Sequence, residues 1–364
     1  MLKKFKKILK NNIFIYKLYV FLLGFTKLNS DKDPILFRLY EKIIIYSEIK
    51  KLEKLVNKDI DIVYDCSVSA LTLGDFCDFA MVARFLKKKK FNIRIIFIND
   101  NFRDDYYKKN LQKAKLRLNE YKLILKSFVN PKIHIINCNW NNYIEDKFDK
   151  NFTFFNSNVI SRKPIYHHCF NFLHTILKKE TKKFLNDCLL NKNSFFLNKQ
   201  NNLPKKKYVS LGCRFNPLDK KKYWSRNLKA EDFLKIVNEV KKKYSGYQIM
   251  VISDKNGTNF FKKIAKKNNL KLLYSKERSN SYIGDGYLML NSKCYFQFLG
   301  GGTVAFLIYS KLNFMWFSFL QQHHVVLNTK KKYCWWHKNK NFYQEMVFRN
   351  INIFLNNIQK INFL

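Results

Sequence analysis

The stretch from Asn291 to Phe317 reads NSKCYFQFLGGGTVAFLIYSKLNFMWF, and its pattern indicates how this chain folds. Cys294–Leu299 is a short apolar and aromatic run, which predicts a strand that is buried on both faces. Thr303 is placed to cap a helix over Val304–Leu312, and Asn313–Phe317 predicts the next buried strand. A strand, a turn, a helix and a second strand in this order are typical of a parallel sheet.

Three consecutive glycines, Gly300, Gly301 and Gly302, join the first predicted strand to the helix. Glycine permits a sharp turn and a close approach of the backbone to another group. A helix that begins directly after such a turn offers free backbone N–H groups and the positive end of its dipole, which suits a phosphate. The same pattern also occurs in tight connections that bind no ligand.

The bulk composition favours two domains and an anionic partner. A chain of 364 residues with 47% hydrophobic content is long enough for two separate cores. Its 69 Lys and Arg residues against 27 Asp and Glu residues give a net charge of +42. This charge suits nucleic acid, an anionic membrane surface or a phosphorylated substrate. The lysines are spread along the chain, however, and a biased genome composition alone can produce that pattern.

The cysteines and the hydropathy pattern bear on the cellular compartment. The eight cysteines show no CxxC pair and no metal-like spacing, and several lie in apolar runs, where free thiols act as small hydrophobes. This usage indicates a reducing compartment, and we expect a cytoplasmic protein. Because no run of about 18 uninterrupted apolar residues occurs, no transmembrane helix is expected.

Residues 1–25, MLKKFKKILKNNIFIYKLYVFLLGF, place lysines among Leu, Phe and Ile and then become strongly apolar. The apolar part is not followed by a good small-residue cleavage site, which argues against a signal peptide. We interpret residues 1–58 as a basic, amphipathic helical extension whose first 25 residues lie on an anionic membrane surface. The alternative is that this helix packs on the protein's own core.

Two strand–helix alternations follow the extension. Residues 59–200 and residues 205–335 each predict a Rossmann-like domain, a parallel sheet with both faces covered by helices. The polar, Asn- and Lys-rich stretch Asn191–Lys207, which contains Pro204, marks the boundary between them. In residues 336–364 we predict an amphipathic helix, Phe342–Ile358, that could cross back to the first domain.

Candidate ligands in the second domain are the polar residues that follow predicted strands, because open α/β sheets bind ligands outside the carboxyl ends of their strands. In chain order these are Arg214, Arg226, Asn227, Asp254 and Gly300–Thr303. Arginine makes bidentate contacts to phosphate, and a carboxylate can accept hydrogen bonds from ribose hydroxyls, so the set suits a nucleoside diphosphate. Asp254 could instead only cap a turn, and Arg226 could be a solvated loop charge.

In the first domain, Gly74 and Asp75 lie where the loop after the first strand enters a helix. Asp75, with Gly74 beside it on the acceptor side, could take a proton from an attacking hydroxyl. Helix capping is the alternative, because it is a common role for Asp. The histidines of the predicted helix Ile165–Leu190 do not share one helix face, so we expect no metal site.

Several motifs together resemble GT-B glycosyltransferases, and most of all the bacterial heptosyltransferase and fucosyltransferase-like groups that build surface polysaccharides. LTLGDFCDFAMVARFL at residues 71–86 is similar to the heptosyltransferase start, where the Asp after Gly is the proposed base. VSLGCRF, YWSRN and VISD, at residues 209–215, 223–227 and 251–254, are similar to the opening of a donor domain. The late glycine segment lacks the acidic residue and the His that heptosyltransferases usually carry there, so ADP-heptose is not implied as the donor.

This resemblance implies an α/β protein with two Rossmann-like domains facing each other across a cleft, and an inverting, metal-independent sugar transfer without a cofactor. The sugar would pass from a nucleotide-sugar to a hydroxyl of a surface glycan or lipid-linked acceptor, with Asp75 as general base and positive groups stabilising the departing diphosphate. We expect the protein on the inner face of the cytoplasmic membrane.

Two alternatives to this enzyme remain open. One is a catalytically degenerate GT-B-like protein, since the late glycine segment lacks its usual polar residues. The other is a basic nucleic-acid-binding protein in which Trp335 and Trp336 stack on bases. The scattered lysines and the lack of a recognisable module argue against nucleic acid as a partner.

Overall fold

The computed structural model describes residues 34–56, 58–130, 132–145, 152–155, 168–198, 203–217, 227–298, 302–319, 342–346, 351–361 and 363. Residues 1–25, the predicted membrane segment, and Trp335 and Trp336 lie outside the described residues. The chain divides into two compact units, Leu36–Leu197 and Asn198–Leu364, close to the boundary predicted at residues 200–205. Each unit contains its own parallel sheet with helices, which confirms the α/β class.

The first unit alternates helices and strands around a parallel sheet. Its elements are α1 (Pro34–Glu53), β1 (Asp59–Asp65), α2 (Leu73–Lys88), β2 (Asn92–Ile98), α3 (Asp105–Lys109), α4 (Leu111–Phe128), β3 (His134–Cys138), α5 (Trp140–Glu145), β4 (Phe152–Phe155), α6 (His168–Leu177) and α7 (Lys182–Cys188). The sheet order is β3-β2-β1-β4, and β1 pairs with β2 in register from Asp59 with Asn92 to Asp65 with Ile98. The central strand β1 is buried from its second residue onward, as its apolar sequence predicts.

Helix α1 is the described part of the N-terminal extension. Ile45, Ile49 and Leu52 lie on one face of the helix and are buried. Glu48 on the same side contacts the imidazole of His168 in α6, with 3.1 Å between a carboxylate oxygen and Nε2. Pro34–Glu53 is therefore helical, and its buried face packs on the first unit.

The second unit is built around a larger parallel sheet. Its elements are β5 (Tyr208–Gly212), α8 (Ala230–Lys243), β6 (Gln248–Ile252), α9 (Lys255–Lys267), β7 (Leu273–Tyr274), α10 (Tyr282–Leu290), β8 (Tyr295–Phe298), α11 (Val304–Ile308), β9 (Phe314–Phe319), β10 (Phe342–Met346) and α12 (Ile351–Lys360). The strand order is β10-β9-β8-β5-β6-β7. Numbered within the unit this is 6-5-4-1-2-3, the doubly wound order in which the chain reverses direction between the first and fourth strands.

The prediction for the C-terminal region was wrong in two respects. Phe342–Met346 is not helical but adds strand β10 beside β9, because its aromatic and alternating sequence suits an extended backbone. Helix α12 does not cross back to the first domain: Ile351, Phe354 and Ile358 are buried in the core of the second unit, against α8. The ammonium of Lys243 in α8 donates to the last carbonyls of α12, at 2.7 Å for Ile358, which fastens the helix end.

Two further observations concern the helices and the cysteines. None of the described helices combines the length and apolar character needed to cross a membrane. Six of the cysteines within the described ranges are buried in the interior: Cys66, Cys77, Cys169, Cys188, Cys213 and Cys294. Burial raises the pKa of the Cys188 thiol to about 12, so this group is an inert apolar side chain at neutral pH.

Candidate functional site

The reversal point of the second sheet lies between β5 and β8. These strands pair in parallel, with Ser210 opposite Tyr295 and Gly212 opposite Gln297. The chain leaves β5 toward α8 and leaves β8 toward α11, so the two connections diverge from neighbouring strand ends. In doubly wound sheets this divergence opens a crevice at the carboxyl edge, and ligands bind there.

A buried polar network lies at this reversal point. The hydroxyl of Tyr295 donates to Gln297 Oε1 at 3.0 Å, and the hydroxyl of Thr303 donates to the same oxygen at 3.1 Å. Tyr295 is fully buried and Gln297 is 2% exposed. Because a buried amide needs partners, this network fixes the Gln297 side chain and, through it, the first residue after the glycine turn.

Gly212, the last residue of β5, makes room for this network. A Cβ atom at this position would lie 2.2 Å from the Tyr295 hydroxyl and 2.4 Å from Gln297 Oε1. These separations are far below contact distance, so the network requires glycine here. Strand β5 thus packs closely against the side chains of β8 at this position.

The described end of the glycine turn is held from a second side. The hydroxyl of Tyr282 in α10 donates to the carbonyl of Gly302, and the Tyr282 ring packs on Phe306 with centroids 4.5 Å apart. Thr303 does not cap the helix, contrary to prediction, because its hydroxyl is committed to Gln297 and its backbone is already helical, with φ −64° and ψ −19°. Helix α11 spans Val304–Ile308 rather than Val304–Leu312. Gly300 and Gly301 lie outside the described residues.

Asp254 caps helix α9, so the structure favours the capping alternative over the ribose ligand. Its Oδ1 accepts a hydrogen bond from the backbone N–H of Gly257 at 2.7 Å, and the residue is exposed at the N-cap position. Helix capping alone accounts for an Asp at this position, and the role of Asp254 as a ligand stays a prediction.

The loop that follows β5 is closed by backbone contacts around Asn227. Its amide oxygen accepts from the N–H of Asn216 and its amide nitrogen donates to the carbonyl of Asn216, both at 2.7 Å. The N–H of Leu228 donates to the carbonyl of Arg214 at 3.0 Å. Asn227 is thus a structural clasp of the loop, and its role as a ligand stays a prediction. Arg214 lies half-buried at the base of this loop, and Arg226 lies outside the described residues.

A buried charged pair at the same edge was missed by the sequence analysis. The ammonium of Lys276, just after β7, lies 2.6 Å from Asp285 Oδ2 in the first turn of α10. Burial raises the pKa of Asp285 to about 6, although Lys276 acts in the opposite direction. A single Asp within the otherwise uncharged segment YIGDGYLML was the available signal.

In the first unit, Asp75 is the third residue of α2 and Thr72 is the N-cap. The Thr72 hydroxyl accepts from the N–H of Asp75 at 3.4 Å and donates to Asp75 Oδ2 at 2.6 Å. The Asp75 side chain therefore takes part in reciprocal capping, while the residue remains exposed. A Cβ atom on Gly74 would meet nothing within 4 Å, so the space beside this helix start is open.

Asp75 stands on a rigid support. The Tyr121 hydroxyl donates to the carbonyl of Thr72 at 2.9 Å, and the ring of Tyr121 stacks on Phe76 with centroids 3.6 Å apart. The N–H of Leu71 donates to Asp104 Oδ2 at 3.2 Å. The backbone that carries Asp75 is therefore fixed by the core beneath it and by the loop beside it. Within the described ranges, no cluster of three or more His, Cys, Asp or Glu side chains could hold a metal ion.

Comparison with known proteins gives structural relatives only. No family model matches the sequence, and no curated protein matches it. The solved structures similar to this chain include the E. coli heptosyltransferase WaaC with ADP, at 9% identity and a TM-score of 0.43, covering 83% of this chain and 99% of that one. A glycosyl transferase of family 9 from Veillonella parvula has 9% identity and a TM-score of 0.39, covering 84% and 90%. A UDP-GlcNAc 2-epimerase from Neisseria meningitidis bound to UDP-GlcNAc has 12% identity and a TM-score of 0.33, covering 83% and 90%.

Proposed function

We propose that the protein is a glycosyltransferase that moves a sugar from a nucleotide-sugar to a hydroxyl of a surface glycan or lipid-linked acceptor. The reaction would invert the anomeric centre and use no metal. The observation that carries this proposal is the reversal point of the second sheet, where Gln297 and Tyr282 hold the Gly302–Thr303 turn between β5 and β8. This is the position at which doubly wound sheets bind nucleotides, and the sequence motifs at it resemble donor-binding segments.

In this proposal the second unit binds the donor. Backbone N–H groups of the turn at residues 300–303 and the guanidinium of Arg214 would hold the diphosphate, because both offer donors to phosphate oxygens. They would also stabilise the negative charge that develops on the diphosphate as it departs. Arg226 would add a second guanidinium from the same loop.

Asp75 would act as the general base toward the acceptor. It is an exposed carboxylate on a rigid helix start, and Gly74 leaves open space beside it. An acceptor hydroxyl that replaces Thr72 as the donor to Asp75 Oδ2 would be placed for proton transfer. Binding without turnover is the second candidate function, because the Thr72 hydroxyl already occupies this oxygen at 2.6 Å. Release of nucleoside diphosphate from a nucleotide-sugar in the presence of acceptor distinguishes the two.

We also propose peripheral association with an anionic membrane through residues 1–25. The described part of the chain supports this with the outer face of α1, where Ile43 and Tyr46 are 66% and 53% exposed among Lys42, Lys50 and Lys54. Apolar side chains ringed by lysines suit an anionic lipid surface. Deletion of residues 1–25 should weaken binding to vesicles of anionic lipid, and unchanged binding would contradict this part.

A thermal-shift panel of ADP, GDP, UDP and CDP tests the donor site. A nucleotide at about 100 times its dissociation constant should add roughly 2.7 kcal/mol to the free energy of unfolding. We expect one nucleotide to stabilise the wild type and to stabilise Arg214→Ala much less. If no nucleotide stabilises the wild type, the glycosyltransferase proposal fails.

A further inference from the structure

The Lys276–Asp285 pair differs from an ordinary surface salt bridge. The two side chains are only 19% and 7% exposed, and their charged atoms are 2.6 Å apart. A neighbouring pair, Lys262–Glu277, also has one partner in the turn after β7, but its side chains are 59% and 46% exposed. Surface pairs contribute little, whereas burying two charges has a desolvation cost that a salt bridge often fails to offset. The buried pair therefore needs an explanation other than stability.

The pair also leaves hydrogen-bonding capacity unused. Asp285 Oδ1 is buried, and Ser275, the residue before Lys276, lies within reach of this carboxylate. An ammonium has three N–H donors, and the bond to Asp285 Oδ2 uses one of them. The Lys276 ammonium is partly exposed and held in place, so its remaining N–H groups can donate to a second anionic group.

The position of the pair places it next to the glycine turn. Asp285 lies three residues after Tyr282 on α10, so the two side chains are neighbours on the helix. The Tyr282 hydroxyl donates to the carbonyl of Gly302. Asp285 also helps to raise the pKa of Tyr295 in the buried network, and Asp254 raises that of Asp285. The pair thus lies among the residues that surround the carboxyl ends of β5, β6 and β8.

We propose that Lys276, held in place by Asp285, binds the diphosphate group of the donor at the same edge of the second sheet as the Gly302–Thr303 turn. Asp285 is the positioning residue, because it orients the ammonium. The naming of a nucleoside diphosphate rests on the function proposed above, whereas the anion-binding role rests on the pair itself. Lysine suits this role as a compact point charge toward phosphate oxygens.

Calorimetric titration of pyrophosphate, ADP, GDP, UDP and CDP tests the role of Lys276. In Lys276→Met we expect the dissociation constant of pyrophosphate and of the bound nucleotide to rise roughly ten- to a hundredfold, the effect of losing one charged hydrogen bond. The matched control is Lys262→Met, which removes the same charge from the exposed pair and should leave both constants unchanged. Because Lys276→Met leaves a buried carboxylate alone, the double variant Lys276→Met/Asp285→Leu provides a folded, pair-free protein that should show the same loss.

Asp285→Asn tests the positioning role through pH. In the wild type, affinity for the nucleotide should fall below about pH 6, where Asp285 becomes protonated and releases Lys276. The Asp285→Asn variant should lack this fall in affinity. Because both proteins are measured with the same ligand, protonation of its phosphate affects both equally and cancels in the comparison. Identical pH profiles would overturn the positioning role.

The remaining outcomes separate this inference from the proposed function. Wild-type affinity in both Lys276→Met and the double variant would overturn the inference while leaving the donor site intact. Equal losses in Lys262→Met and Lys276→Met would overturn it in favour of a diffuse charge effect. If the wild type binds pyrophosphate but no nucleotide, and Lys276→Met abolishes that binding, the anion-binding residue stands and the glycosyltransferase proposal falls.

Discussion

The carboxyl edges of the two sheets start from the same strand order but use their polar residues differently. Around the central strand both units have the order third, second, first and fourth strand. In the first unit the carboxylates serve the loop after β1: Asp65 Oδ1 accepts from the N–H and the hydroxyl of Ser67, and Asp104 accepts from the N–H of Leu71. These hydrogen bonds fix the loop, and with it the start of the helix that carries Asp75.

In the second unit several polar residues at the edge are buried and contact one another. Gln297 accepts from Tyr295 and Thr303, and Asp285 pairs with Lys276. Because buried polar groups need partners, these contacts fix the side chains near the glycine turn. In the proposed function the first unit supplies the reactive carboxylate and the second unit binds the donor.

The largest expected effect concerns Asp75, because it is the general base in the proposed function. Asp75→Asn should lower kcat by about 10²–10⁴-fold, the usual contribution of a general base. The free energy of unfolding should change little, since the Asn carbonyl still accepts from the Thr72 hydroxyl. Steady-state kinetics and urea denaturation of the same preparation measure both quantities. Unchanged turnover would remove the chemical role from the first unit.

Substitutions of Gly212 in the second unit and Gly74 in the first unit provide a matched pair of variants. Gly212→Val should lower the free energy of unfolding by roughly 3 kcal/mol, because its side chain would displace Tyr295 and Gln297. Gly74→Ala should be neutral or stabilising by up to about 1 kcal/mol, because it meets open space and favours the helix. Chemical denaturation measures both, and equal effects would show that the two edges are not packed differently.

The sequence predicted the layered architecture well because the apolar runs of parallel strands are strong local signals. Cys294–Leu299 and Asn313–Phe317 were both predicted as strands and correspond to β8 and β9 within two residues at each end. The C-terminal region was misread because Phe342–Met346 has both alternating and helical character, and only its pairing with β9 makes it a strand.

The candidate site was harder to predict because residue type alone does not show which partner a polar side chain binds. Asp254 and Asn227 were in the right place, at the carboxyl edge, but their side chains serve a helix cap and a loop clasp. Gln297 was passed over inside an apolar run, although a polar residue in a buried strand signals a network. The partnership of Lys276 with Asp285 depends on the entry of α10 over the sheet, which no local pattern shows.

The pH dependence of stability tests whether the second edge carries an unfavourable buried charge. The pKa of Asp285 is about 6 in the folded protein against 3.8 for an unperturbed Asp. Between these values the folded protein binds more protons than the unfolded chain, so stability falls as pH rises through this window. At roughly 1.4 kcal/mol per pKa unit, the loss should be on the order of 3 kcal/mol. Urea denaturation from pH 4 to 7 should show this slope in the wild type, and Asp285→Asn should be flatter by that amount. Parallel curves would place Asp285 in a more solvated setting.

The smallest expected effect separates capping from ligand binding at Asp254. Asp254→Ala should lower the free energy of unfolding by about 1 kcal/mol, because the N–H of Gly257 loses its acceptor, and nucleotide affinity should not weaken. Ser281→Ala is the matched control, since Ser281 caps α10 by accepting from the N–H of Gly284 at 2.9 Å and should lose a similar amount. Thermal denaturation with and without nucleotide measures both properties. Weaker nucleotide binding in Asp254→Ala with unchanged stability would return this carboxylate to the proposed donor site.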